Sequence, residues 1–255
     1  MNQDTHKKAW FRFYAELNDF LPAAKKQISF AYEFSLAPSV KDAIEAIGVP
    51  HPEVDLILVN GNSVDFSYRL KDNDRISVYP EYELYDVSGI TRLRPKPLRR
   101  PKFILDVNLG RLAKKLRMLG FDVLYKNNFS DDQIIETAFM EKRIILTRDQ
   151  GLLKTGKVDR GYWVRHTNIH EQLPEIIRKF DLLNLIRPFS RCMDCNGLIV
   201  KTSKAKIRGQ LKPRTEASFS HFYRCKNCGK IYWQGAHYEK MIKYIEQLKL
   251  EIKDE

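Results

Sequence analysis

The sequence predicts an α/β protein in three parts: a three-layer domain with a parallel sheet, a small α+β unit before it, and a cysteine knuckle after it. Three observations carry this. Residues 103–180 alternate strand-length apolar runs with runs of helical period, the pattern of a parallel sheet covered by helices. Residues 10–80 read strand, strand, helix and then further strands. All four cysteines of the 255-residue chain fall in two CxxC pairs.

The first part is expected over residues 1–90. Trp10–Leu17 and Gln27–Phe34 are strand-like. Ser39 then opens a helix, with Asp42 three positions on, and Gly48 ends it. Val54–Val59 is a buried strand followed by an Asn60–Gly61 hairpin turn, and Asp72-Asn73-Asp74 turns into the strand Arg75–Tyr79. This is the element order of a β-grasp. The stretch VNGNSVDFSYRLKDNDRISVYP (residues 59–80) resembles the second half of the ubiquitin-like sulfur carriers. Those carriers end in a chemically used Gly-Gly, whereas this chain continues as Glu81-Tyr82-Glu83. The expectation is the fold without the carrier chemistry, in an accessory or interaction role. Residues 91–102 (TRLRPKPLRRPK) combine three prolines with many basic residues and no acid, a stiffened linker that is either a spacer or an RNA contact.

The middle domain is expected over residues 103–188. Phe103–Leu105 is a short buried strand, and Leu109, Leu112, Ala113, Leu116 and Leu119 then recur at helical spacing until Gly120. Phe121–Tyr125, Arg143–Leu146 and Gly161–Val164 read as strands; Ile134, Ile135, Ala138 and Phe139 mark a second helix, and Gln172–Phe180 a final one. Asp106 closes the first strand, Asp131 follows the second and begins a helix, and Asp149 follows the third. Ligand sites of open α/β sheets form where parallel strands end, so these three carboxylates are expected at one crevice. Two carboxylates about 4 Å apart repel by roughly 4 kcal/mol at an effective dielectric near 20. A hard cation such as Mg²⁺ or Mn²⁺ relieves that, and such ions support phosphodiester chemistry. Each aspartate also has a structural reading: Asp131 as a helix cap, Asp149 as a turn residue, Asp106 as a cap for which Asn108 is better placed.

FILDVNLGRLAKKLRMLGFDVLY (103–125), SDDQIIETA (130–138) and RIILTRDQGLL (143–153) resemble the PIN-type ribonuclease domain found at the C-terminus of a mutator exonuclease and in stand-alone microbial proteins. That family joins the domain to a zinc ribbon and, in some members, to a ubiquitin-like N-terminal domain, so the resemblance covers nearly the whole chain. It implies RNA cleavage with Mg²⁺ or Mn²⁺ at Asp106, Asp131 and Asp149, with Asp132 contending beside Asp131. A further glutamate of many PIN domains has no counterpart, because the stretch between Asp106 and Asp131 is too short for the usual extra helices. Asn108, Arg111 and Arg117 also match the family's pattern; with Lys114 and Arg148 they are expected to bind RNA, Asn108 also capping the first helix and orienting Asp106. Arg111, Lys114 and Arg148 are candidates for phosphate contact. Arg111, Lys114, Lys115 and Arg117 read equally as the wet face of an amphipathic helix, which is the expectation for Lys115.

Cys192-x-x-Cys195 and Cys225-x-x-Cys228, separated by 29 residues, read as a tetrahedral four-cysteine zinc ribbon over residues 189–235. Iron or a redox dithiol are the other readings. Four thiolates leave no open position, so the zinc is structural. Between Arg191 and Lys240 there are 11 basic and 3 acidic residues, interleaved with Phe219, Phe222, Tyr223, Tyr232 and Trp233. That mixture suits single-stranded RNA unless the rings form the ribbon's core. His237, in a segment that also matches the family, is read as structural or substrate-contacting. Residues 236–255 are expected to carry a terminal helix.

Charge divides the chain. Residues 1–90 hold 9 basic and 14 acidic residues; the other 165 hold 35 and 18. A polyanion is attracted to the second part and not the first. With no apolar run long enough to span a membrane and no signal-peptide core, a soluble cytoplasmic protein without a membrane partner is expected. The first functional expectation is a metal-dependent ribonuclease. A non-catalytic RNA-binding or adaptor protein with a PIN-like core is the alternative, and a sulfur-transfer partner a third.

Overall fold

The computed structural model describes residues 6–80, 91–93 and 101–253. Two compact units divide the chain: residues 1–99 with 147–163, and residues 100–146 with 164–255.

The first unit opens with β1 (Lys7–Phe13), whose Ala9, Phe11 and Phe13 point inward between exposed neighbours. The strand stops well short of Leu17. Ala15 takes a φ of 46° and a 3-10 turn, Ala15–Phe20, follows. Buried Asn18 holds that turn, donating to the carbonyls of Phe13 and Ala15 (both 3.0 Å) and accepting from the Gln27 amide at 2.7 Å. Gln27 has a φ of 58°, so β2 begins only at Phe30 and runs Phe30–Phe34. Helix α1 (Val40–Ile47) starts as the sequence implies, with the Ser39 hydroxyl accepting from the Asp42 amide at 3.1 Å, and ends at Gly48. Next come β3 (Val54–Val59), β4 (Asn62–Ser63) and β5 (Arg75–Pro80). Asn60 and Gly61, both at positive φ, form the hairpin between β3 and β4.

The sheet order is β2-β1-β5-β3-β4, with β1 parallel to β5 and the other pairs antiparallel, the topology of a β-grasp. Val40, Ala43 and Ile44 of α1 share one core with Phe11, Phe13, Ile57, Ile76 and Val78. Each large side chain in it contributes about 1.5–3 kcal/mol. Buried Asp74 stitches the turns together, accepting from the Lys71 amide (2.8 Å), the Asn60 side chain (2.9 Å) and the Tyr68 hydroxyl (3.0 Å).

In the second unit β6 (Lys102–Leu105) is followed by a 3-10 turn, Val107–Leu109, and by α2 (Gly110–Met118), which buries Leu112, Ala113 and Leu116. Then come β7 (Asp122–Leu124), α3 (Asp131–Glu141) and β8 (Ile144–Thr147). β6 lies between β7 and β8 and is parallel to both, pairing Phe103 with Val123 and with Ile144. The four-residue helix α4 (Gln150–Leu153) and β9 (Gly161–Trp163) belong to the first unit. α5 (Ile169–Lys179) starts earlier than Gln172 because the Asn168 side chain caps it, accepting from the His170 amide at 3.1 Å.

The cysteine-bearing part is also in the second unit. β10 (Ile199–Thr202), β11 (Phe222–Cys225) and β12 (Ile231–Trp233) form an antiparallel sheet in that order. The long spacer between the cysteine pairs carries β10 and a short helix, α6 (Pro213–Ser218). α7 (Ala236–Lys253) closes the chain, packing on α5. The basic linker falls mostly on residues 94–100, outside the described residues, as do Glu81-Tyr82-Glu83.

Candidate functional site

Asp106 follows the last residue of β6 and is 5% exposed. Its amide donates to the Leu146 carbonyl at 3.1 Å, extending the ladder between β6 and β8 by one rung. The next residue, Val107, is tied to the residue after β7: the Tyr125 hydroxyl donates to its carbonyl at 3.0 Å. Asn108 does not cap the helix as expected. It lies inside the 3-10 turn, and neither that turn nor α2 has a side-chain cap. Asp131 is the first residue of α3, and it is exposed. The cap is Ser130, which forms a reciprocal box with Gln133, so α3 does not use Asp131 for that purpose. Asp132 stands beside it, also exposed. Between β6 and α3 lie only the 3-10 turn, α2 and β7, which leaves no element for a further helical acid.

Asp149 belongs to the other unit, two residues past the end of β8. Its structural reading is visible: one carboxylate oxygen accepts from the Gly151 amide at 2.7 Å and caps α4. The Thr147 hydroxyl in turn accepts from the Asp149 amide at 2.9 Å. The indole nitrogen of Trp163 donates to the Arg148 carbonyl at 3.2 Å.

On α2 the four cations separate. Arg111 and Lys114 are exposed. Lys115 is not on a wet face: its ammonium lies 3.7 Å from the centre of the Tyr244 ring of α7, and burial pulls its pKa below the ordinary lysine value. Arg117 is 3% exposed and cannot reach a phosphate. Its guanidinium donates to the carbonyls of Val123 (2.9 Å), Asp194 (2.7 Å) and Met193 (3.2 Å). Helical spacing alone put Arg117 on the polar face; the fold covers that face with the knuckle of Cys192 and Cys195.

Cys192, Cys195, Cys225 and Cys228 bring their sulfurs within 4.8 Å of one another. Cys192 and Cys228 are 3.7 Å apart and Cys195 and Cys225 3.4 Å. A tetrahedral zinc with bonds of about 2.3 Å needs sulfur separations of roughly 3.8 Å, so this set fits the ion. Both knuckles depend on left-handed backbone, at Asn196 (φ 65°) and Gly229 (φ 75°). Gly197 is required for space, since a Cβ there would lie 2.7 Å from the Cys225 sulfur. Thiolate charge is unevenly shared. At Cys195 burial opposes ionisation, but the Gly197 amide and the neighbouring thiols outweigh it and bring the pKa to about 6. Cys228 is pushed up to about 12: the Lys230 amide favours its ionisation, and burial with the other three thiols overrides it. The Tyr232 hydroxyl lies 3.0 Å from the Cys192 sulfur.

This knuckle is bonded to the α/β core by groups that no sequence pattern singles out. Asp122, at the start of β7, accepts from Arg143 (2.8 Å), Arg191 (3.0 Å) and the Asn196 side chain (2.8 Å). Burial works against the Asp122 charge, but the bonds from Arg143 and Asn196, with the charges of Arg143 and Arg191, hold its pKa below the ordinary range. The side-chain carbonyl oxygen of Asn196 accepts from the Val123 amide at 3.0 Å. Gly120 permits the close approach, because a Cβ there would lie 2.1 Å from the Arg187 carbonyl. Arg143, the nearest thing to a signal, looks from sequence like an ordinary strand end.

The expected ring cluster is divided. Phe222 is wholly buried, whereas Trp233 is 37% exposed. Tyr223, Tyr232, Trp233, Phe189 and Tyr238 line a cavity of about 190 Å³ between the ribbon sheet and α7. Exposed Lys201 is the cross-strand partner of Tyr223, on the same face of the sheet.

Residues 101–245 match the family described as Mut7-C RNAse domain. The chain belongs to that family. Residues 6–86 match the Mut7-C ubiquitin family, in agreement with the β-grasp topology. Among curated proteins, exonuclease mut-7 of Caenorhabditis elegans is 27% identical over 188 residues, which make up 68% of this chain and 19% of that protein. The chain thus spans about a fifth of that relative's length. No solved structure matches it. Membership of the Mut7-C RNAse family suggests a nuclease, and with it nucleic-acid binding and a divalent metal. The ubiquitin-like part suggests interaction with protein. Among the described residues no helix is long and apolar enough to cross a membrane.

Proposed function

We propose that the protein is a PIN-type ribonuclease in which Asp106, Asp131 and Asp149 hold Mg²⁺ or Mn²⁺ and hydrolyse RNA phosphodiester bonds. One observation carries this most: in a chain of the Mut7-C RNAse family, a buried carboxylate, Asp106, stands at the end of the central parallel strand β6. An all-oxygen set of carboxylates suits a hard divalent ion. The ion supplies activation of water and stabilisation of the leaving oxygen. Asp106 is held in direction by the Leu146 carbonyl bond and the Tyr125–Val107 bond on either side of it. Asp131 is spared capping duty by Ser130, and Asp132 is its nearest substitute. Arg111 and Lys114, exposed on the helix that follows Asp106, bind the phosphate backbone, with Asn108 and Arg148 beside the aspartates. Arg117 has no part in binding RNA.

In the same reading Cys192, Cys195, Cys225 and Cys228 hold a structural zinc, making residues 189–235 a zinc ribbon. The ring-lined cavity takes an unpaired base by stacking, with Lys201 near the backbone phosphate. The domains run 1–90, 91–102, 103–188, 189–235 and 236–255, the first of them also serving a protein partner, and the protein is cytoplasmic. The test is cleavage of single-stranded RNA by metal-stripped protein. Cleavage is expected only on adding Mg²⁺ or Mn²⁺, and Asp106→Asn is expected to reduce it to background with the melting temperature retained. An Asp106→Asn protein that cuts normally would falsify the assignment. RNA binding without turnover under either ion would favour the adaptor reading.

A further inference from the structure

The first unit joins the β-grasp to residues 147–163, the segment that carries Asp149. Phe20, Glu53 and Trp163 take part in the junction. The Trp163 ring lies 5.2 Å from the Phe20 ring, centre to centre. The Trp163 amide donates to the carboxylate of Glu53, which is 2% exposed. The ring of His51, 5% exposed and paired with the Glu45 carboxylate at 2.5 Å, faces the backbone of Val158. Phe20, His51 and Glu53 all lie in 3-10 turns of the β-grasp, not on its sheet. Trp163 also makes the link onward, through its indole bond to the Arg148 carbonyl, the peptide immediately before Asp149.

We propose that the ubiquitin-like domain is a brace built into the enzyme: through Phe20 and Glu53 it fixes Trp163, and Trp163 fixes the backbone at Asp149. This gives a use to a domain that has the carrier topology but, lacking Gly-Gly after residue 80, not the carrier tail. The proposal rests on the reading of Asp149 as a metal ligand. Without a brace, Asp149 hangs on a cap to a helix of only four residues, too short to hold itself in water. A buried polar group of the β-grasp, Glu53, accepts from this segment's backbone at Trp163, and buried polar groups need such partners. Trp163, Phe20 and Glu53 are positioning residues in this scheme.

The test uses the full chain and three variants. Trp163→Phe keeps a ring against Phe20 and removes the indole donor; Phe20→Leu keeps the β-grasp filled and removes the ring; Asp149→Asn is the reference. In Trp163→Phe, kcat on RNA is expected to fall about 10–100-fold, as for other groups that orient metal ligands, with the half-saturating Mn²⁺ concentration raised and the KM for RNA unchanged. Independently of metal, the amides of residues 149–153 are expected to exchange with deuterium up to about tenfold faster in Trp163→Phe, while amides of the β-grasp core keep their protection. Phe20→Leu should move both readouts in the same direction by less. Wild-type kcat, Mn²⁺ dependence and exchange in Trp163→Phe would overturn the brace alone, provided Asp149→Asn is inactive. Normal cleavage by Asp149→Asn would overturn the brace together with the role of Asp149.

Discussion

The four cysteines and the three aspartates are both candidate ligand sets, and they differ in how the chain delivers them. The cysteines come as two knuckles within one unit, with sulfur distances already near those of a bound zinc. The aspartates come singly, each from the end of a different strand or the start of a helix, and Asp149 from a segment that packs with the N-terminal unit. A soft, closed set made of short-range loops is suited to holding structure. Hard oxygen ligands lend themselves to chemistry at an open ion. The difference teaches that loss of the first should unfold the protein, whereas loss of the second should only silence it.

The largest expected effect follows from Cys192→Ser. Structural zinc contributes on the order of 10 kcal/mol to small metallo-domains, so this variant should lose its zinc and melt far below the parent. Metal analysis and calorimetry check it; a zinc-free protein with parental melting behaviour breaks the comparison from the cysteine side. By contrast Asp149→Asn, which retains an oxygen for the α4 cap, should lower stability by about 1 kcal/mol or less while abolishing cleavage.

A smaller effect separates the cysteine set from what docks it. Asp122 has a pKa held below its ordinary 3.8, so the stability it adds is present above that pH and is lost as pH falls through the lower folded value. Asp122→Asn should therefore melt lower than the parent at neutral pH, with the gap closing once the pH is well below 3.8. Melting curves from neutral to acid pH measure this, and a gap that persists at the acid end contradicts it. The smallest effect is on binding. Trp233→Leu should weaken single-stranded RNA binding by about 1–3 kcal/mol, the usual range for one stacked base, and leave binding of an abasic oligomer unchanged. Equal losses for both ligands would show that the ring serves only packing.

Much of this was legible in the chain. The Ser39 cap, the Asn60–Gly61 hairpin and the CxxC pairs could be read because each is a local device whose residues sit within a few positions of one another. The strands of the parallel sheet were legible from their apolar runs, whereas in the β-grasp β1 ended early where Asn18 binds its own neighbouring carbonyls. The errors on α2 have one cause. Period 3.6 marks which side of a helix is polar, but not whether another part of the chain covers that side. Arg117 was expected to bind RNA or face solvent and Lys115 to face solvent, and the knuckle and Tyr244 claim them.

By itself the sequence determined the three classes of part, the two candidate ligand sets and the divided charge, since these depend on residue type and short spacing. Only the tertiary structure decided that the cysteine knuckle is bonded to the α/β core through Arg117, Asp122 and Asn196, and that residues 147–163 pack with the β-grasp. Those outcomes rest on distant pairs: Arg117 and Asp194 are 77 residues apart, Glu53 and Trp163 110. No local propensity encodes which distant backbone group a buried side chain will meet.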